Sequence, residues 1–216
     1  MSMQHAWQTQ LQQYAQEHNI NEAGQTFFLT YYEDVDSEDL SLLPVNDLVA
    51  AARSHQRTAA MPRLPGQSHV EILQQAAEAD FAANETVINI VFDDLPFLID
   101  SLIMLLNRPP QQSGEVKVDM QLLVHPIFTI KRNENGELQS WSRSRSTDNG
   151  RESWVQIRTN KLSDDHANQL KAEIESTLST LYKVVSDEGL MRRALSQVTT
   201  QVQQQWHQDN EEVLAF

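Results

Sequence analysis

The chain has 216 residues, 40% of them hydrophobic, enough to bury a substantial core, so extensive disorder is not expected. Asp and Glu number 30 against 16 Lys and Arg, a formal net charge of -14 that repels phosphate backbones and argues against a nucleic-acid partner. There is no cysteine, which excludes disulfides, thiolate nucleophiles and cysteine-ligated zinc, and makes the cytoplasm the expected compartment.

In chain order, Trp7, Leu11, Tyr14, Ala15 and His18 fall on one stripe at the helical period, which predicts an amphipathic helix over residues 4–18. Phe27, Phe28, Tyr31, Tyr32 and Val35 predict a second helix, ending near the acidic turn at 34–39, and Leu48, Val49 and Ala52 a third from Val45 to Ala60. MPRLPG (61–66) has two prolines and a glycine, which break helix and mark the end of a helical N-terminal part over residues 1–62.

The period then changes. SHVEIL (68–73) and TVINIVF (86–92) are short and β-branched, as strands are, and QQAAEADFAANE between them is a loop or a short helical turn. Asp93 or Asp94 is placed to cap a following helix, Pro96 is tolerated in its first turn, and the apolar run Phe97–Leu106 predicts a helix buried nearly all round. That run, the longest apolar one, is too short to span a bilayer and holds Asp100 in its middle; with no basic-then-apolar leader at the N-terminus, no membrane partner is expected.

Even positions from Val118 to Ile130 are all apolar, predicting one long strand with Pro126 at an edge or a bulge. Asn135-Gly136 is a hairpin signal before a strand near Leu138–Ser142. RSRSTDNGR (143–151) is a polar loop, SWVQIRT (153–159) a further strand, and Ser163 a cap for a helix striped by Ala167, Leu170, Ile174, Leu178, Leu181 and Val185. A last helical pattern runs through Leu190, Ala194, Leu195, Val198, Val202 and Trp206 over residues 186–216, and its apolar stripe would need a cover that self-association could supply. Residues 63–185 thus predict an α+β sandwich of helices on a mainly antiparallel sheet.

VINIVFDDLPFLIDSLIMLLN (87–107) resembles the opening strand, acidic turn and helix of an ACT domain, the small βαββαβ regulatory module. With LLVHPIF (122–128) and ESWVQI (152–157), it resembles the N-terminal ACT-like region of the large bacterial NAD-specific glutamate dehydrogenases, from the aromatic helix at Phe27 through ARSHQR (52–57) to the closing helix. The resemblance implies a non-catalytic regulatory or oligomerisation region, a homo-oligomer, and a longer polypeptide whose downstream domains are its partners and hold the NAD. No cofactor is expected in this segment itself: no two of its six glycines are closer than 14 residues, so neither GxGxxG nor a P-loop can be built. Two departures stand out. Pro96-Phe97 occupies the turn where amino-acid-binding ACT domains commonly carry glycine, and PPQQSGEVK (109–117) is longer and more polar than the family's usual link.

The candidate ligand or interface residues are Asp93, Asp94, Pro96, Phe97, Asp100 and His125. The three aspartates could offer hard oxygen ligands to a metal or shift one another's pKa, but helix capping is the favoured reading. His125 is set by strand parity on the face opposite the apolar one; none of the seven histidines shows zinc-site spacing. Ser101 and Ser153 lack a nucleophile elbow, and Arg143, Arg145 and Arg151 form a basic loop cluster suited to solvent or an acidic surface. No catalytic or metal residue is assigned. The alternatives are a free-standing sensor binding an amino acid at the turn Asp93 to Phe97, and, more weakly, a metal-dependent hydrolase.

Overall fold

The computed structural model describes residues 6–74, 85–110, 116–143 and 150–214. The fold is α+β, with six helices and one antiparallel sheet of six strands among the described residues. The backbone divides into two compact units, residues 1–179 and 180–216.

Four helices come first. Helix α1 (Ala6–Glu17) buries Trp7, Leu11 and Ala15, the expected stripe, whereas His18 lies past its end, exposed and stacked on the Tyr14 ring. Asn19, at φ 52°, turns the chain there, in a conformation that asparagine tolerates. Asn21 caps α2 (Glu22–Tyr31) by accepting from the Gly24 amide at 2.9 Å. A five-residue helix absent from the sequence reading, α3 (Ser37–Ser41), is capped by Asp36 and sits in the acidic stretch read as a turn; one helical turn is too short to show a period. Helix α4 (Val45–Ala60) matches its expected bounds and lays Leu48, Val49, Ala51, Ala52 and His55 on the sheet.

The strands are β1 (His69–Leu73), β2 (Glu85–Asp93), β3 (Met120–Val124), β4 (Ile127–Arg132), β5 (Leu138–Ser142) and β6 (Gly150–Asn160), in the order β1-β2-β6-β4-β5 with β3 also on β6. Central β6 pairs with β2 over its whole length and, on its other side, with β4 and then β3. The single strand expected over 118–130 is thus two strands aligned on one partner. They break at His125-Pro126 because proline has no N–H to give the ladder; its carbonyl still accepts from Trp154 N at 3.0 Å. Helix α5 (Leu98–Leu106) joins β2 to β3, which run parallel with β6 between them, a split β-α-β arrangement. The outer edge of β2 is taken by β1, from upstream.

One core holds the helical segment and the sheet together. Trp154 lies at its centre, with ring centroids 4.6 Å from Phe128, 5.6 Å from His55 and 6.4 Å from Phe27. Because side chains alternate along a strand, Ile88, Ile90, Phe92, Val155 and Ile157 point to the opposite face and are buried there; α6 (Asp164–Leu214) follows β6 in the chain. Helix α5 is not buried all round as expected: Leu98, Leu102, Leu105 and Leu106 are buried, but Met104 is 74% exposed. Ser163 caps α6 as expected, accepting from the His166 amide. The helix then runs unbroken through the position where a second helix was expected. The stripe residues Leu190, Ala194, Leu195, Val202 and Trp206, the segment at 75–84, and Arg145 lie outside the described residues or side chains.

Candidate functional site

The six candidate residues separate into three settings around the turn from β2 to α5. Asp93 ends β2 on the face toward α4, where its carboxylate accepts from Arg63 Nη2 at 2.8 Å and from the Gly66 amide at 2.6 Å. Arg63 also donates to Glu152 from Nη2 at 2.8 Å, and Glu152 accepts in addition from Arg132 Nε at 2.7 Å and Nη2 at 3.0 Å. Arg132 reaches on to the carbonyls of Ala59, Met61 and Gly136, so a cation meets the C-terminus of α4, where the helix dipole favours it. The Arg63 and Glu152 side chains are each 3% exposed. Burial pushes the Glu152 carboxyl up, but the hydrogen bonds and charges of Arg132 and Arg63 outweigh it and hold the group below the usual range. Gly136 completes the cluster: at φ +81° it turns the hairpin, and a Cβ there would lie 2.7 Å from the Arg63 backbone.

Asp94 faces the other way. Its amide donates to the Arg151 carbonyl at 3.0 Å, and its carboxylate accepts from Ser153 Oγ at 3.0 Å and pairs with Arg151 at 3.2 Å. Neither aspartate caps α5. The cap position is Phe97, at φ 65° and ψ 6°, with no side-chain hydrogen bond to the helix. The capping expectation is corrected for a geometric reason: both carboxylates are drawn back onto β6 and the 61–67 turn, leaving the helix to start four residues beyond Asp94. Pro96 is exposed beside it, and Asp100 is exposed in the first turn of α5, where its charge favours the helix dipole.

A bulky residue in the left-handed region costs about 1–2 kcal/mol, and Phe97, 67% exposed, recovers little of that by burial. Phe97→Gly is therefore expected to be more stable than Phe97→Ala by about 1 kcal/mol, reversing the order seen inside helices. Urea midpoints of the two variants check this; an alanine variant equal to or above the glycine one would contradict it.

His125, at the break between β3 and β4, is brought toward Asp94 and Asp34. Burial lowers its pKa, partly countered by the charges of Asp94 and then Asp34. Its Nε2 is buried and without a hydrogen-bond partner among the described residues. Arg143, one of the three arginines of the basic loop cluster, binds the chain's own acidic turn, at 2.6 Å from Asp34 and 3.2 Å from Glu33. Ser101, partly buried in α5, is not brought to this cluster.

A second polar layer, unread in the sequence, lies between α4 and the sheet. His55 bonds Tyr31 Oη through Nδ1 at 2.7 Å and the Ile90 carbonyl through Nε2 at 3.1 Å. A carbonyl only accepts, so Nε2 carries the proton and Nδ1 accepts from the tyrosine. Beside it, Gln156 donates to Asn89 Oδ1 and the Ala51 carbonyl, and Asn89 to Ser54 Oγ. Each pairing joins residues 24 or more positions apart, and none forms a local motif.

Among the described residues no group of His, Asp and Glu is arranged to hold a metal ion, and no helix is long and apolar enough to cross a membrane. The arrangement around the turn is one of charge pairing: Asp93, Asp94 and Glu152 are each engaged by arginine, and tie the ends of three strands to the turn after α4. Residues 27–174, from the middle of α2 into α6, match the family described as "Glutamate dehydrogenase, ACT1 domain". No curated protein and no solved structure matches the chain.

Proposed function

Because the chain belongs to the glutamate dehydrogenase ACT1 domain family, we propose that it is the non-catalytic regulatory or oligomerisation region of an NAD-dependent glutamate dehydrogenase, which converts glutamate to 2-oxoglutarate and ammonia. The observation that carries this reading is the match over residues 27–174, which takes in the whole sheet, the acidic turn, α5 and the start of α6. NAD and the reacting groups then belong to other domains of the same polypeptide, in a cytoplasmic homo-oligomer. The glycine spacing agrees, since it leaves no place for a dinucleotide fingerprint.

The geometry of the turn favours a scaffold over an amino-acid sensor. A ligand carboxylate at an ACT-type turn would need free amides at a helix start. Here the Asp94 amide is bonded to the Arg151 carbonyl, Pro96 has no N–H, and Asp100 puts a negative charge in the first turn of the helix. The pure chain is therefore expected to form no NADH from glutamate and NAD, and to give no saturable heat in calorimetry with millimolar glutamate or aspartate. Glutamate-dependent NADH would overturn the non-catalytic reading. Saturable heat lost in Asp94→Asn would replace the scaffold with the sensor.

A further inference from the structure

A groove of about 680 Å³ opens between α1, α2 and the turn at residues 32–37, away from the β2–α5 turn. Leu29, 41% exposed, and the half-buried Val35 supply apolar wall over the buried Leu11. Gln8, Gln12 and Gln25 offer amides, and Glu33 and Asp36 add carboxylates; no basic side chain among the described residues lines it. The volume falls within the range, roughly 300–1,000 Å³, of sites that enclose a ligand of drug size or a short peptide segment.

Charge decides the kind of occupant. Residues 33–39, EDVDSED, carry five carboxylates in seven positions, and Glu33 and Asp36 of this segment form one rim of the groove. This rim already takes a guanidinium, since Arg143 pairs with both Glu33 and Asp34, yet those two side chains remain 61% and 65% exposed and open to a second cation. An anionic ligand would meet repulsion here, and a purely apolar one would leave amides and carboxylates desolvated without partners. An amphipathic segment satisfies both sides, its apolar residues against Leu29 and Val35 and its cations toward Glu33 and Asp36.

We propose that the groove between α1 and α2 docks a basic amphipathic peptide segment of a partner protein, with leucine-like anchors on its floor and lysine or arginine at its acidic rim. The docking does not depend on the function proposed above, because no residue of the β2–α5 turn takes part.

The test is fluorescence anisotropy of the full chain with a labelled amphipathic leucine–lysine peptide, alongside a leucine–glutamate and a serine–lysine counterpart. Saturable binding of the leucine–lysine peptide alone is expected, weakened about tenfold or more by Leu29→Ser and by Glu33→Gln combined with Asp36→Asn. Asparagine keeps the cap of α3, so that double variant retains the fold. Leu42→Ser, at a position 82% exposed and outside the groove, is expected to bind as the parent does. Equal binding of the serine–lysine peptide would reduce the effect to net charge and overturn the proposal, as would affinity unchanged in the groove variants. Displacement of the peptide by equimolar spermidine would overturn it in favour of a small organic cation.

Discussion

Glu152→Ala is expected to destabilise the protein by about 3 kcal/mol or more, because it strips the shared counter-ion from two buried arginines. Arg63 would keep Asp93, and Arg132 its three carbonyl acceptors, so the cost lies toward the lower end for broken buried pairs. For a chain of this size the thermal midpoint should fall by roughly 6–12 °C. Glu152→Gln keeps the shape but not the charge, and is expected to lose nearly as much. Arg143→Ala, which breaks ion pairs to the exposed Glu33 and Asp34, should cost no more than about 1 kcal/mol. Calorimetric scans of the three variants separate the cases; a Glu152→Gln variant as stable as the parent would mean that shape, not charge, holds the strand ends.

Acid is expected to destabilise the fold well above the carboxylate range, through His55. Burial pushes this histidine from its ordinary 6.5 down to about 3, against the opposing hydrogen bond to the Ile90 carbonyl. The folded state therefore binds fewer protons than the unfolded chain between about pH 3 and pH 6.5. Stability is full above that window and falls as pH drops through it, by about 1.4 kcal/mol per unit. Across the whole window the loss is roughly 4–5 kcal/mol. His125, also lowered by burial, adds in the same direction. Glu152 joins at lower pH: its folded pKa is depressed, so its contribution is complete above the ordinary carboxylate value and is lost as pH falls through the lowered one. Urea midpoints at pH 7.5, 6.5 and 5.5 check this. His55→Gln should flatten most of the decline from pH 6.5 to 5.5, and an equally steep decline in that variant would show that other groups set it.

The pattern of exposed residues on α5 illustrates how far periodicity carries. Its run from Phe97 to Leu106 reads as apolar on all sides, so composition alone assigns every side to the interior. The helix in fact buries Leu98, Leu102, Leu105 and Leu106 and leaves Met104 to solvent, because hydrophobicity states which residues tolerate burial and not whether a second layer exists to bury them.

What the chain order determines without tertiary information is local. The short β-branched runs of β1 and β2, the alternation across β3 and β4, the stripes of α1, α4 and the first half of α6, the hairpin at Asn135-Gly136 and the cap at Ser163 follow from spacing of two or 3.6 residues and from the chemistry of single positions. The family is legible for a related reason, since its strand, acidic turn and helix are contiguous at 87–107. The partners of the charged groups are not. Asp93 and Asp94 both read as caps, since a cap is what a helix start offers an adjacent carboxylate, but Arg63 and Arg151 compete for them from 30 and 57 positions away. Arginine engages both carboxylates in place of the helix amides, and which arginine arrives is decided only when β6 inserts between β2 and β4. The same insertion divides the strand at Pro126, assembles Glu152 with Arg132, and sets His55 beneath Trp154, because long-range pairing is chosen by the packing of whole layers and leaves no periodic trace in the sequence.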